Sequence, residues 1–149
     1  MSFLKSFKYA FCGIIHCLKN ERNMRFHTVA ALYVLIFARF FHFTRSEWVL
    51  LLLTIGGVLA AEAVNTAIEE VCDKVSPEKN EHIRHAKDAA AGALLILAVF
   101  AVAIAVLLFG SIDGWKELFG FYVSHPVNLC ALALSAVLSL LIIIHVKQR

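Results

Sequence analysis

Three acids recur along one short run, EAVNTAIEEVCD at positions 62–73, as Glu62, Glu69 and Asp73. On a helix turning about 100° per residue, they fall within about 40° of one another and climb roughly 16 Å. Asn65 and Thr66 share their side, while Ala63, Val64, Ala67, Ile68 and Val71 take the rest. Acids aligned in this way repel one another unless a cation lies between them. Mg²⁺, which seeks oxygen donors and arrives with nucleotide phosphates, is the natural candidate. A solvated polar face just outside a bilayer is the plainer reading for Glu70 and Asp73. It suits Glu62 poorly, because an ionised acid deeper in an apolar stretch costs a few kcal/mol.

A second polar cluster is Glu21, Asn23, Arg25 and His27. Arg25 follows Glu21 by four residues, so an ordinary helix-surface ion pair is the alternative to a role in chemistry. The third cluster is the expected loop Pro77–Asp88, which ends His85, Ala86, Lys87, Asp88. Lys87 is suited to phosphate oxygens as a mobile point charge, or equally to anchoring a cytoplasmic loop by its charge. All three clusters fall at one depth, which points to a single site at the inner interface. His82 and His85 form an HxxH pair, but with Cys72 they are too scattered to suggest a metal centre. The sequence has no P-loop, Rossmann glycine pattern, Gly-rich kinase loop or GxSxG, so nucleotide chemistry here needs a non-standard site.

The elements that must hold these residues are membrane elements. Of 149 residues, 60% are hydrophobic and the mean hydropathy is +0.77, where ordinary soluble domains hold roughly 45–50% apolar residues. A water-soluble chain of this size cannot hide that much apolar surface. The net charge of +3 is too weak to argue for nucleic acid. Cys12, Cys17, Cys72 and Cys130 show no CxxC or metal-finger spacing and read as free, reduced thiols. The N-terminal stretch does not read as a signal peptide, because Lys5, Lys8 and Lys19 are spread through it.

Residues 3–18 place Phe3, Leu4, Phe7, Phe11, Ile14, Ile15 and Leu18 on one helical stripe, expected to lie in the headgroup region. The polar segment Lys19–His27 is expected to continue that helix. Four apolar stretches follow: Thr28–Phe43, a second from Trp48 that becomes the acid-bearing helix to about Asp73, Ala89–Ile112, and Val127–Ile144. Lys5, Lys8, Lys19, Arg22 and Arg25 precede the first, and Lys74, Lys79, Arg84 and Lys87 lie between the second and third. Lys147 and Arg149 close the chain, which places both termini and the 74–88 segment in the cytoplasm. Trp48 and Trp115 mark outer boundaries. Pro77 and Pro126 mark breaks, and the segment 111–126 is expected as a linker. It divides a unit over 1–110 from an extra-cytoplasmic linker and fourth transmembrane helix over 111–149.

Five segments carry a resemblance: SFKYAFCGI (6–14), ExNxRxH (21–27), EWVLL (47–51), ExxNTAIExxxD (62–73) and AKDAAAGAL (86–94). Over roughly residues 3–110 the chain resembles the small prokaryotic diacylglycerol kinases and their relatives, the undecaprenol kinases. The resemblance implies an all-α integral membrane homotrimer of three-span subunits with an amphipathic surface helix and composite active sites. The fourth span lies outside that pattern. It implies ATP and Mg²⁺, a membrane lipid alcohol as acceptor, and a site on the cytoplasmic face of a prokaryotic inner membrane. By motif, Glu62 looks like the general base and Asn65 like its positioning partner. Glu21 and Glu69 resemble the carboxylates that hold Mg²⁺ with ATP. Lys87 resembles the phosphate-binding lysine, with Asp88, Tyr9 and Glu78, Lys79 and Asn80 near the nucleotide. The family's usual histidine in that last segment is replaced by Asn80, with His82 nearby. The NTAIE and AAGA forms lean toward undecaprenol as acceptor, with diacylglycerol, giving phosphatidic acid, as the alternative. Two other classes stand beside a kinase. A non-catalytic oligomer binding or conducting a cation would explain buried acids but not Lys87 and Asp88. A degenerate scaffold would not need every motif carboxylate to be present.

Overall fold

The computed structural model describes residues 3–75 and 80–144, and all of its regular elements are helices. They are α1 (Phe3–Asn20), α2 (Arg22–Phe37), a 3₁₀ turn (Ala38–Phe40), α3 (Arg45–Val75), α4 (Glu81–Leu108), α5 (Ile112–Ser124) and α6 (Pro126–Ile144). Three of them, α3, α4 and α6, are long and apolar enough to cross a membrane. The expected first span is different: α2 has only 16 residues, and a 3₁₀ turn carries it on to Phe40.

The framework is the α3–α4 hairpin. α3 starts on a reciprocal cap, in which Glu47 Oε2 accepts from the backbone N–H and hydroxyl of Thr44, both at 2.7 Å. This T-x-x-E arrangement satisfies donors that an uncapped helix leaves free. The helix then runs 31 residues, about 46 Å, longer than an average hydrocarbon core of about 30 Å. Helix α4 runs back along it. α2 packs on α3, and α6 runs antiparallel to α2, with Arg25 opposite Ile142 and Tyr33 opposite Ser135. Within the membrane-length part, Ala38, Leu51 and Leu108 are buried, with Val34, Leu35, Ile55 and Ile104 around them.

Three expectations about local structure are corrected. The chain does not continue as one helix through Lys19–His27: Glu21 is extended (φ −103°, ψ 123°), so α1 ends and α2 begins around it. The segment expected as a loop to Asp88 is helical from Glu81, because Asn80 caps it by accepting from the His82 N–H at 2.9 Å. The expected linker is mostly helix α5, capped by Ser111, whose Oγ accepts from the Gly114 N–H.

α5 is held by an aromatic cluster at the end of the bundle remote from the acids. The Phe41 ring lies edge-on to Phe109 (centroids 4.7 Å) and Trp115 (5.4 Å). Gly114 lets α5 approach, since a Cβ there would stand 2.4 Å from the Phe41 ring. His42 takes a left-handed φ of 49° in the tight turn and meets Glu117 at 3.1 Å.

Candidate active site

Glu62 is the most deeply buried large side chain among the described residues, at 1% exposure, and its Oε2 has no hydrogen-bond partner. One turn along α3, Asn65 is also buried. Its Nδ2 donates to Glu69 Oε1 at 2.8 Å, and its Oδ1 is unpartnered. The Thr66 hydroxyl donates to the Glu62 carbonyl at 3.0 Å and is satisfied within the helix. Two orphaned oxygens, one a carboxylate, therefore stand on one buried face. Leaving such atoms unpaired costs about 1–3 kcal/mol each, more for a charge, and proteins retain them where a ligand or a reaction uses them.

The acid-bearing face of α3 is met by the chain around the end of α1. Cys17 is buried with the Thr66 side chain beside it, and burial pushes its thiol above the usual range, with Glu70 and Glu21 adding to the effect. His16 Nε2 donates to Glu70 Oε1 at 2.5 Å. Asn20 Nδ2 donates to the other ring nitrogen at 3.1 Å, which fixes the tautomer. Glu21 sits half-buried at the break that follows, and its charge and that of Glu69 are the two that reach Glu62. The extended backbone at Glu21 thus sets this half-buried acid at the break between α1 and α2.

On α4, Lys87 Nζ donates to Asp73 Oδ1 at 2.5 Å, so the lysine stands at the end of α3, within reach of the charge on Glu69. The structure therefore brings together Glu21, Glu62, Asn65 and Glu69, with Lys87 beyond them. It leaves Tyr9 and Asp88 exposed, with no described hydrogen bond to this group. Asn80 is used as the cap of α4, and Glu78 and Lys79 lie outside the described residues.

Two plain readings are also revised. Glu70 and Asp73 are exposed, but each is engaged, one by His16 and the other by Lys87. Arg25 does not pair with Glu21. Its guanidinium turns to backbone carbonyls at the end of α1. The His16–Glu70 pair joins residues 54 apart and leaves no spacing signal in the sequence. Cys17 carried one weak signal, its place on a helix next to a polar motif.

The donor set is all oxygen: carboxylates from Glu21, Glu62 and Glu69, and the free Asn65 Oδ1. Among the described residues no three His, Cys, Asp or Glu side chains converge tightly enough to hold a metal alone. The oxygen donors are of the kind that suits a hard divalent cation completing its shell from phosphate oxygens.

Known proteins resemble this chain in sequence. A sequence model of the family described as Prokaryotic diacylglycerol kinase matches residues 8–109. An undecaprenol kinase of Bacillus subtilis (strain 168) is 40% identical over 107 residues, covering 72% of this chain and 87% of that protein. A diacylglycerol kinase of Synechocystis is 36% identical over 104 residues, 69% of this chain and 59% of that one. The diacylglycerol kinase of Escherichia coli (strain K12) is 31% identical over 99 residues, 66% and 81% of the two chains. The match ends where α4 ends, so α5 and α6 lie beyond it.

Proposed function

Because this chain belongs to the prokaryotic diacylglycerol kinase family and is an ATP-dependent lipid kinase, we propose that its acceptor is undecaprenol and that Glu62 is its general base. The observation that carries the base assignment is the buried Glu62 carboxylate with one oxygen unpartnered, on the face it shares with Asn65 and Glu69. A span of about 20 residues counted from Trp48 ends near Ala67. Glu62 then stands just inside the apolar layer, where a lipid alcohol arrives, and Glu69 and Asp73 stand in the aqueous layer beyond.

Phosphoryl transfer needs alignment and neutralised charge more than covalent help from the protein. Glu62 Oε2 accepts the proton of the lipid hydroxyl as its oxygen attacks the γ-phosphorus and the bond to the ADP oxygen breaks. Asn65 holds Glu69 through its Nδ2 and leaves Oδ1 toward the same face. Glu21 and Glu69 are the carboxylates that hold Mg²⁺ with the nucleotide. Mg²⁺ held there would supply charge neutralisation for the transferring phosphoryl group. Lys87 exchanges Asp73 for phosphate oxygens when nucleotide enters, and Tyr9, Glu78, Lys79, Asn80 and Asp88 complete the nucleotide's surroundings.

The same reading takes α1 as an interfacial helix, with Phe3, Leu4, Phe7 and Phe11 exposed along it for contact with lipid. It takes α2 with its 3₁₀ turn as a further crossing beside α3, α4 and α6, giving four spans. The chain works as a homotrimer in the cytoplasmic membrane with its site at the inner face. Support for undecaprenol comes from the NTAIE and AAGA forms and from the 40% identity to an undecaprenol kinase. Diacylglycerol is the second reading, favoured by the other named relatives. Transfer of labelled γ-phosphate from Mg-ATP to each lipid in mixed micelles separates them. A clear preference for undecaprenol is expected, and a preference for diacylglycerol reverses the assignment. No transfer to either by folded protein overturns the proposed substrates and the base together.

A further inference from the structure

Helix α6 lies outside the part of the chain that matches the family, yet it touches the motif that carries Glu21. The contact is made by Arg25. Its Nε donates to the Leu18 carbonyl at 2.6 Å, its Nη2 donates to the Lys19 carbonyl, and its Nη1 donates to the Ile142 carbonyl at 3.0 Å. Leu18 and Lys19 are in the last turn of α1, and Ile142 lies near the end of the described part of α6. The last four carbonyls of a helix have no partner within it and mark the negative end of its dipole. One guanidinium therefore joins the C-terminal end of α1 to a backbone carbonyl of α6, far away in sequence. A planar fork with several donors in fixed directions can do this, and a lysine ammonium cannot hold the same geometry.

Deeper in the bundle, the Tyr33 hydroxyl of α2 meets Ser135 Oγ at 2.9 Å and Ser139 Oγ at 3.3 Å, both on α6. Two serines one turn apart thus fix the register of α6 against α2, and that register sets the Ile142 carbonyl opposite Arg25. The Glu21 backbone is held from both sides within the same turn, its N–H on the Cys17 carbonyl at 2.8 Å and its carbonyl accepting from the Arg25 N–H at 3.4 Å.

We propose that Arg25 is a positioning residue through which α6 holds the bend at Glu21, so that the added C-terminal helix sets where the Glu21 carboxylate stands. The kinetic consequence rests on the reading of Glu21 as a carboxylate that holds the Mg-nucleotide; the structural consequence does not.

Both consequences are measured on the full chain. Cys12 on α1 and Cys130 on α6 are exposed, whereas Cys17 and Cys72 are buried. Spin labels at the two exposed thiols, with labelled chains diluted into unlabelled protein, report the placement of α1 relative to α6. Arg25→Gln and the pair Ser135→Ala with Ser139→Ala should each broaden that distance distribution, with Arg25→Lys failing to restore it. Thermal unfolding of each variant confirms that it is folded. A distribution left unchanged by Arg25→Gln overturns the proposal. In the kinetic arm, Arg25→Gln should raise KM for Mg-ATP about tenfold with kcat within about threefold, and the serine pair should raise KM about threefold. Combining them should give no more than Arg25→Gln alone, because both break one linkage. Increases that multiply overturn the route through Arg25. If Glu21→Gln leaves KM unmoved while Arg25→Gln broadens the distances, the nucleotide role of Glu21 falls and the linkage stands.

Discussion

At the scale of single residues, the telling contrast along α3 is between acids with partners and the buried one with a free oxygen. Glu69, Glu70 and Asp73 are held by Asn65, His16 and Lys87 in turn, while the buried Glu62 has a free oxygen. Glu62→Gln keeps the shape and removes the base. It should lower kcat for phosphoryl transfer by about 10²–10⁴-fold while KM for Mg-ATP stays near that of the parent. Its melting temperature should not fall, because a buried unpaired charge is removed. Unchanged turnover would make another group the base. The cysteines give a second residue-level test. Burial raises the Cys17 thiol, so at a given pH it holds less thiolate than an exposed thiol, and its reaction rate climbs only at higher pH. Near pH ~8, a maleimide should label the exposed Cys12 well before Cys17, with mass spectrometry of peptides reading the order. Equal rates would mean that α1 does not stay on α3.

Among the elements, α5 is the one whose docking depends on the absence of a side chain. Its approach to the Phe41 ring leaves no room for a Cβ at Gly114. Gly114→Ala must displace either the ring or the helix, and overpacking of this kind costs about 1–3 kcal/mol. A lower melting temperature in detergent is expected, with KM for Mg-ATP unchanged, since the acids lie at the other end of α3. A changed KM with normal melting would mean that the aromatic cluster communicates with the site. The break between α1 and α2 is the other decisive element feature. Nothing in KNERNMRFH at 19–27 is a helix breaker by type, so periodicity alone continues the helix through it. The bend is held by Arg25, whose partners include a carbonyl 117 residues away.

For the whole molecule, apolar faces dominate. The long helices α4 and α6 have almost no buried residues within their most apolar windows, which suits surfaces that meet lipid or a further copy of the chain. With a chain mass of 16.6 kDa, native mass spectrometry from detergent should give three times that value. A single-chain mass retaining full activity would rule out composite sites between subunits. Phosphoryl transfer from ATP needs neutralised charge, so chelation with EDTA should abolish transfer and added Mg²⁺ should restore it.

The sequence by itself determined the solvent, the helical class and the acids. Apolar content and run length require a bilayer, and the spacing of Glu62, Asn65 and Glu69 places them on one helix side because a helix's period is local. Lys87 was legible as a cation at the same depth as the acids from its type and its place in the chain. Only the tertiary structure decided what these residues touch. Burial of Glu62 and pairing of Lys87 with Asp73 depend on how α1, α3 and α4 pack. The reach of Arg25 to α6 and the clearance at Gly114 depend on contacts between segments far apart in the chain. Local periodicity carries no record of such contacts, since each arises only when two helices with separately legible faces are set at a particular register.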